Sequence, residues 1–146
     1  MRTLALFICF LFCVGEIFSQ DLEGKWEGTF TDDTKYIGSY ETKIIFLFIK
    51  KTDSTFEAFS KTFIKDDKKI DSAICVLRGG FLEKNILYLE EIRAIKAFST
   101  NDTNTCLQLM KLYYTKKKKQ LILHGKWYTE KNSCGFGGIR LTKKLK

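Results

Sequence analysis

An eight-stranded, up-and-down antiparallel β-barrel is the fold class this sequence predicts, and three observations predict it. Short runs rich in Phe, Ile, Leu, Tyr and Thr recur between clusters of Asp, Asn, Gly, Ser and Lys. The connections are mostly short enough for antiparallel neighbours, and no linker composition interrupts the series. A meander of this size must hide its edges, which closing into a barrel does; a two-sheet β-sandwich is the alternative. With 45% apolar residues, 14% aromatic residues and no proline, the chain is not of disordered type.

The elements follow in order. Lys25 to Phe30 alternates, with Trp26, Gly28 and Phe30 on one side and Lys25, Glu27 and Thr29 on the other, as in a half-buried strand. A long strand is expected over Tyr36 to Lys51, apolar on both faces at its centre, and another over Thr55 to Ile64. Ile70 to Leu82 and Ile86 to Phe98 flank a tight connection; the second of these has enough Glu, Ala and Lys to suit a helix as well. Thr105 to Thr115 and Gln120 to Glu130 form a hairpin whose tip is Lys116 to Lys119, and the last strand spans Phe136 to Lys143.

Residues 1–19 stand apart from this domain. Arg2 precedes an apolar run from Leu4 to Val14 and a plausible cleavage point after Ser19, the pattern of a secretory signal peptide. The run is too short to span a bilayer. The expectation is a signal peptide over 1–19, a single barrel domain over 20–146, and a secreted protein, periplasmic or extracellular. The net charge of +8 would suggest nucleic acid inside a cell, but export argues against that partner and leaves a weak attraction to anionic surfaces. Asn101-Asp102-Thr103 is a glycosylation sequon, meaningful in a eukaryotic host.

Cys75, Cys106 and Cys134 lie outside the signal segment. Neither their spacing nor the single histidine, His124, suits a metal site, and no nucleophile and base stand together. No metal, cofactor or enzymatic activity is expected.

Leu22-Glu23-Gly24-Lys25-Trp26 places Gly-x-Trp on the first strand, and Gly138-Ile139-Arg140-Leu141 places an arginine on the last. Together with the strand count, these residues resemble the calycin superfamily, which includes lipocalins, fatty-acid-binding proteins and avidins. The resemblance implies that Trp26 plugs one end of the barrel and that Arg140 packs across it. Leu123-His124-Gly125-Lys126-Trp127 echoes the first motif without a full internal repeat.

Tight turns without bulges would set Arg78 opposite Glu91, Cys75 opposite Ala94, Cys106 opposite Ala97 and Trp127 opposite Gln108. That register collects Ile74, Val76, Arg78, Leu87, Leu89, Glu91, Arg93, Ile95, Cys106, Met110, Leu112, Tyr114, Leu121, Leu123 and Trp127 on the inner face. It turns Cys75 outward and predicts a Cys106–Cys134 disulfide with Cys75 left free. Arg78, Glu91 and Arg93 then form an inward polar group, read as a structural ion pair, as side chains left outside by a slip of register, or as an anchor for an acidic head group. The functional expectation is a monomeric, secreted, lipocalin-like barrel for a small, largely apolar ligand. Trp26, Trp127 and Tyr114 would supply wall area for it. The alternative is a protein-binding barrel that inhibits an exported protease through residues Gln20 to Glu23 and the barrel-end loops.

Overall fold

The computed structural model describes residues 21–33, 41–52, 55–66, 69–98, 107–130 and 135–145. Eight strands follow one another: β1 (Gly24–Thr31), β2 (Glu41–Lys50), β3 (Thr55–Asp66), β4 (Lys69–Glu83), β5 (Ile86–Lys96), β6 (Gln108–Lys117), β7 (Gln120–Thr129) and β8 (Phe136–Lys144). Each pairs antiparallel with the next, and β1 pairs with β8, so the sheet closes into a barrel. The segment open to helix in the sequence is strand β5. Two-residue turns at Lys84-Asn85 and Lys118-Lys119 make the tight hairpins, the second at the lysine tip.

The two mouths differ. At one, Trp26 is fully buried and its indole N–H donates to the Leu22 carbonyl at 2.7 Å. The chain ahead of β1 lies across this end with Leu22 also fully buried. Lys143 Nζ donates to the carbonyls of Asp21 (2.8 Å) and Glu23, Lys116 pairs with the Asp21 carboxylate at 2.8 Å, and Glu23 accepts from the Lys50 N–H. Three strands thus stitch one short segment over the opening. Behind it, edge-to-face contacts run from Trp26 to Phe48, Phe56, Phe81 and Tyr114, with ring centroids 6.1–6.5 Å apart. Such pairs each add about 0.5–1.5 kcal/mol beyond the area they bury.

The other mouth carries the longer connections, over 32–40, 97–107 and 130–135. Here Trp127 donates its indole N–H to the Thr31 carbonyl at 2.8 Å and meets Phe30 edge-on at 5.3 Å. That bond needs close approach of the chains: a Cβ on Gly137 would stand 1.7 Å from Thr31 O and 2.7 Å from Trp127 Nε1.

The resemblance-based role for Arg140 is corrected. Its side chain is exposed on the outer face, where it pairs with Thr29 and His124. Lys143, three residues nearer the closed mouth on the inward face of β8, bonds the carbonyls of the lid segment instead.

The bulge-free register of β4 and β5 is also corrected. The ladder passes over Leu82, Ile92 and Ile95, each an extra residue with no partner position. The Leu82 bulge sets Arg78 opposite Glu90 and turns it outward, while Leu77, Gly79 and Phe81 line the inside. The Ile92 bulge keeps Glu91 inside and swings Arg93 out, opposite Val76. Ile95, expected inside, is 54% exposed, and Cys75, expected outside, is buried. Cys75 does face Ala94, as the tight turn predicts. Trp127 faces Met110 rather than Gln108, a slip of two that preserves its inward face. Met110, Leu112, Tyr114, Leu121 and Leu123 are buried as expected. Cys106 and Cys134, and with them the predicted disulfide, lie outside the described residues; Cys75 is a free thiol.

Replacing Gly137 by Ala should lower unfolding free energy by about 3 kcal/mol, because rigid backbone stands in the way. Gly138→Ala should cost far less, since its Cβ meets the Thr31 hydroxyl at 3.2 Å and backbone only at ordinary contact distance, Gly125 O at 4.0 Å. Urea denaturation of both variants checks the contrast.

Candidate functional site

The inner wall near the loop-bearing mouth holds a small polar group. Glu91 on β5 is 6% exposed, Ser60 on β3 is 2% exposed and Cys75 on β4 is 7% exposed. Ser60 donates to Glu91 Oε1 at 3.4 Å, and the Gln108 backbone N–H donates to Glu91 Oε2 at 3.0 Å. Alternation places these residues together. Phe56, Ala58 and Ser60 share the inner face of β3, as Leu87, Leu89 and Glu91 share that of β5.

Gln108 explains the orientation of Glu91. The β5–β6 ladder ends at Glu90 opposite Leu109. One step further, the Gln108 N–H finds a side-chain carboxylate where a strand carbonyl would otherwise accept it. Glu91 therefore continues the ladder with its own side chain.

Burial pushes the Glu91 carboxyl above its ordinary value, partly opposed by the hydrogen bonds from Gln108, Cys75 and Ser60. Burial, reinforced by the charge of Glu91, pushes the Cys75 thiol up to about 12. Both shifts are toward the neutral forms, and the raised thiol value disfavours thiolate chemistry. Among the described residues, buried side chains include no lysine or arginine, and no cluster of His, Cys, Asp and Glu is suited to a metal.

The residues expected to form one site are thus divided. Glu91 and Trp127 line the inner wall toward the loop-bearing mouth. Trp26 and Tyr114 belong to the aromatic packing of the stitched end, where burial pushes the Tyr114 hydroxyl up to about 12. Arg78 is outside, 3.3 Å from Glu90, and Arg93 is exposed. Ser60 and Cys75 were not anticipated. Ser60 was findable as the polar member of an inward Phe56-Ala58-Ser60 series, whereas Cys75 was hidden by the bulges.

A pocket of about 580 Å³ is lined by exposed or half-buried residues of β4–β7 together with the inward-facing Phe56, Phe81, Leu89 and Met110. Gly79, Gly80, Leu82, Tyr88, Leu109, Tyr128, Arg78 and Glu90 also line it. Its volume is within the range of small-molecule clefts.

No protein-family model matches the chain, and no curated protein matches it in sequence. Among solved structures it is similar to a redesigned beta barrel, b11L5F_LGL, at TM-score 0.57 and 11% identity, covering 88% of this chain and 95% of that one. It is likewise similar to EF1p2_mFAP2b bound to DFHBI, at TM-score 0.55 and 10% identity, covering 87% and 95%. These likenesses establish the fold: the chain is a closed, eight-stranded, antiparallel β-barrel.

A folded carboxyl that holds its proton more tightly than the unfolded one stabilises the fold at low pH. That advantage shrinks as pH rises from the unfolded value toward the folded one. Glu91→Gln, which keeps an acceptor for Gln108, should therefore be more stable than the parent at pH 7 and lose that lead below the ordinary value of 4.5. Denaturant midpoints across pH check this. The raised thiol pKa gives a separate expectation: Cys75 in the folded protein should resist iodoacetamide at neutral pH and react on unfolding, as read by peptide mapping.

Proposed function

We propose that this chain is a secreted, non-enzymatic, calycin-like barrel. In this reading it carries a small, largely apolar molecule whose hydrogen-bond donor, an amine or hydroxyl, meets Glu91. The observation that carries the proposal is one buried carboxyl, turned inward near the loop-bearing mouth, with no buried cation among the described residues. An apolar wall with a single polar group is the usual construction of a small-molecule site. Glu91 already accepts from Gln108, Ser60 and Cys75, and a cationic or donating group of a ligand would further offset the cost of burying its charge. The arginines expected to hold an acidic head group are outside, so the preferred head group is reversed. A barrel of similar fold, EF1p2_mFAP2b, is bound to DFHBI.

The protease-inhibitor reading loses support from the lid. Asp21 to Glu23, which would have to enter a protease, are held on the barrel by Lys143, Lys116 and Lys50, with Leu22 fully buried.

The test uses a Trp26→Phe variant, in which Trp127 alone reports from the loop-bearing end. Dodecylamine or dodecanol should change its emission and bind several-fold more tightly than dodecanoate, each below its micellar concentration. Glu91→Gln should weaken the amine about tenfold, equivalent to about 1.4 kcal/mol. Dodecanoate binding as tightly as the amine, or an unchanged amine affinity in the Gln variant, would overturn the proposal.

A further inference from the structure

The barrel is electrically lopsided. Each strand from β1 to β5 contains at least one acid: Glu27, Glu41, Glu57, Asp71 and Glu90 are examples. The adjoining strands β6, β7 and β8 contain none. Their outward positions include Lys111, Lys117, Lys126, Arg140 and Lys144, with His124 among them. Most of the excess positive charge of the chain therefore lies on these three strands and the lysine turn joining two of them.

Pairing makes the concentration costly. Lys111 stands directly opposite Lys126, and His124 directly opposite Arg140. The like charges of Lys111 and Lys126 in opposed positions cost the sheet stability, which argues for a role of this face other than in pairing. Among the described residues, the acid paired into the face is Asp33, 3.9 Å from Lys126; Glu27 flanks it on β1 and is bonded to Lys25. Aromatic rings alternate with the cations. Tyr113 stacks on His124 at 5.8 Å, and Lys111 Nζ lies 5.6 Å and 5.9 Å from the ring centres of Tyr88 and Tyr113. Tyr113, Tyr128 and Phe136 are 43–52% exposed.

We propose that the outer face of β6–β8 binds an acidic polysaccharide. Cations spaced about 5 Å across strands and about 7 Å along them form a lattice that an extended polyanion can follow. Its binding releases condensed counterions. The exposed tyrosines offer flat apolar surfaces to sugar rings between the charges. Nucleic acid has the same charge, but the export expected from residues 1–19 puts a glycan within reach. This site is on the outer wall and is independent of any molecule held inside the barrel.

The test uses heparin as the probe, with uncharged dextran as control, on the purified protein. Heparin should bind at about 50 mM salt and weaken at least tenfold by about 300 mM, while dextran should not bind. The double variant Lys126→Glu/Arg140→Glu should lose at least tenfold in affinity. Lys61→Glu/Lys96→Glu makes the same charge change on the opposite wall and should stay within about twofold of the parent. Circular dichroism on the same samples verifies that both variants fold. Equal losses in the two variants would reduce the effect to net charge and overturn the site. Absence of heparin binding at low salt would overturn it as well. Displacement of heparin by single-stranded oligo-dT at equal charge concentration would overturn the polysaccharide assignment.

Discussion

The barrel depends on a short seam. β1 and β8 meet over four residue pairs, from Glu27–Thr142 to Phe30–Ile139. The neighbouring β1–β2 ladder runs over eight. Closure is reinforced from both ends by indole N–H groups bonded to backbone carbonyls. Trp26 holds the segment ahead of β1, and Trp127, on β7, reaches across to Thr31 at the end of β1. Each tryptophan thus combines a large apolar body with one directed bond. The two mouths are fastened by the same chemistry although the surrounding chain differs.

Strand order, turn positions and closure were legible because they depend on alternation and turn residues, which are local. Gly24-Lys25-Trp26 marked the first strand and its buried indole, and the lysine tip emerged as the two-residue turn between β6 and β7. The inner face of β6 and β7 was also legible, because slips there were by two residues and kept parity. Faces on β4 and β5 were not. The residues that break the register, Leu82, Ile92 and Ile95, are apolar residues within strand-like sequence, and nothing local distinguishes them from residues that pair. One extra residue exchanges inside and outside, which is why Arg78, Arg93 and Cys75 were assigned to the wrong faces while Glu91 was not.

Lysine serves three physical roles in this chain. Lys143 lies low on the inner face of β8 and is half-buried, with its ammonium bonded to two carbonyls of the lid. Lys116 bonds the same segment through Asp21. Lys111 rests over two tyrosine rings, where hydrogen bonding to Tyr88 raises its pKa further. Total charge does not distinguish these roles, and the terminal Arg-like function expected at 140 is carried three positions later. The long flexible stem lets a lysine turn from the wall to the mouth, which a strand-central arginine with an outward Cβ does not do.

The end of the β5–β6 ladder has a mechanical consequence. Beyond Glu90 the described part of β5 continues to pair with β4 through Lys96, while its paired contact with β6 has stopped. A single bond, from a main-chain amide to a side-chain carboxyl, fastens the fork where the two strands diverge. That fastener is a side-chain carboxyl and not a strand carbonyl, so the wall carries a clasp at the root of the fork, and a change of side chain at this one position would undo it.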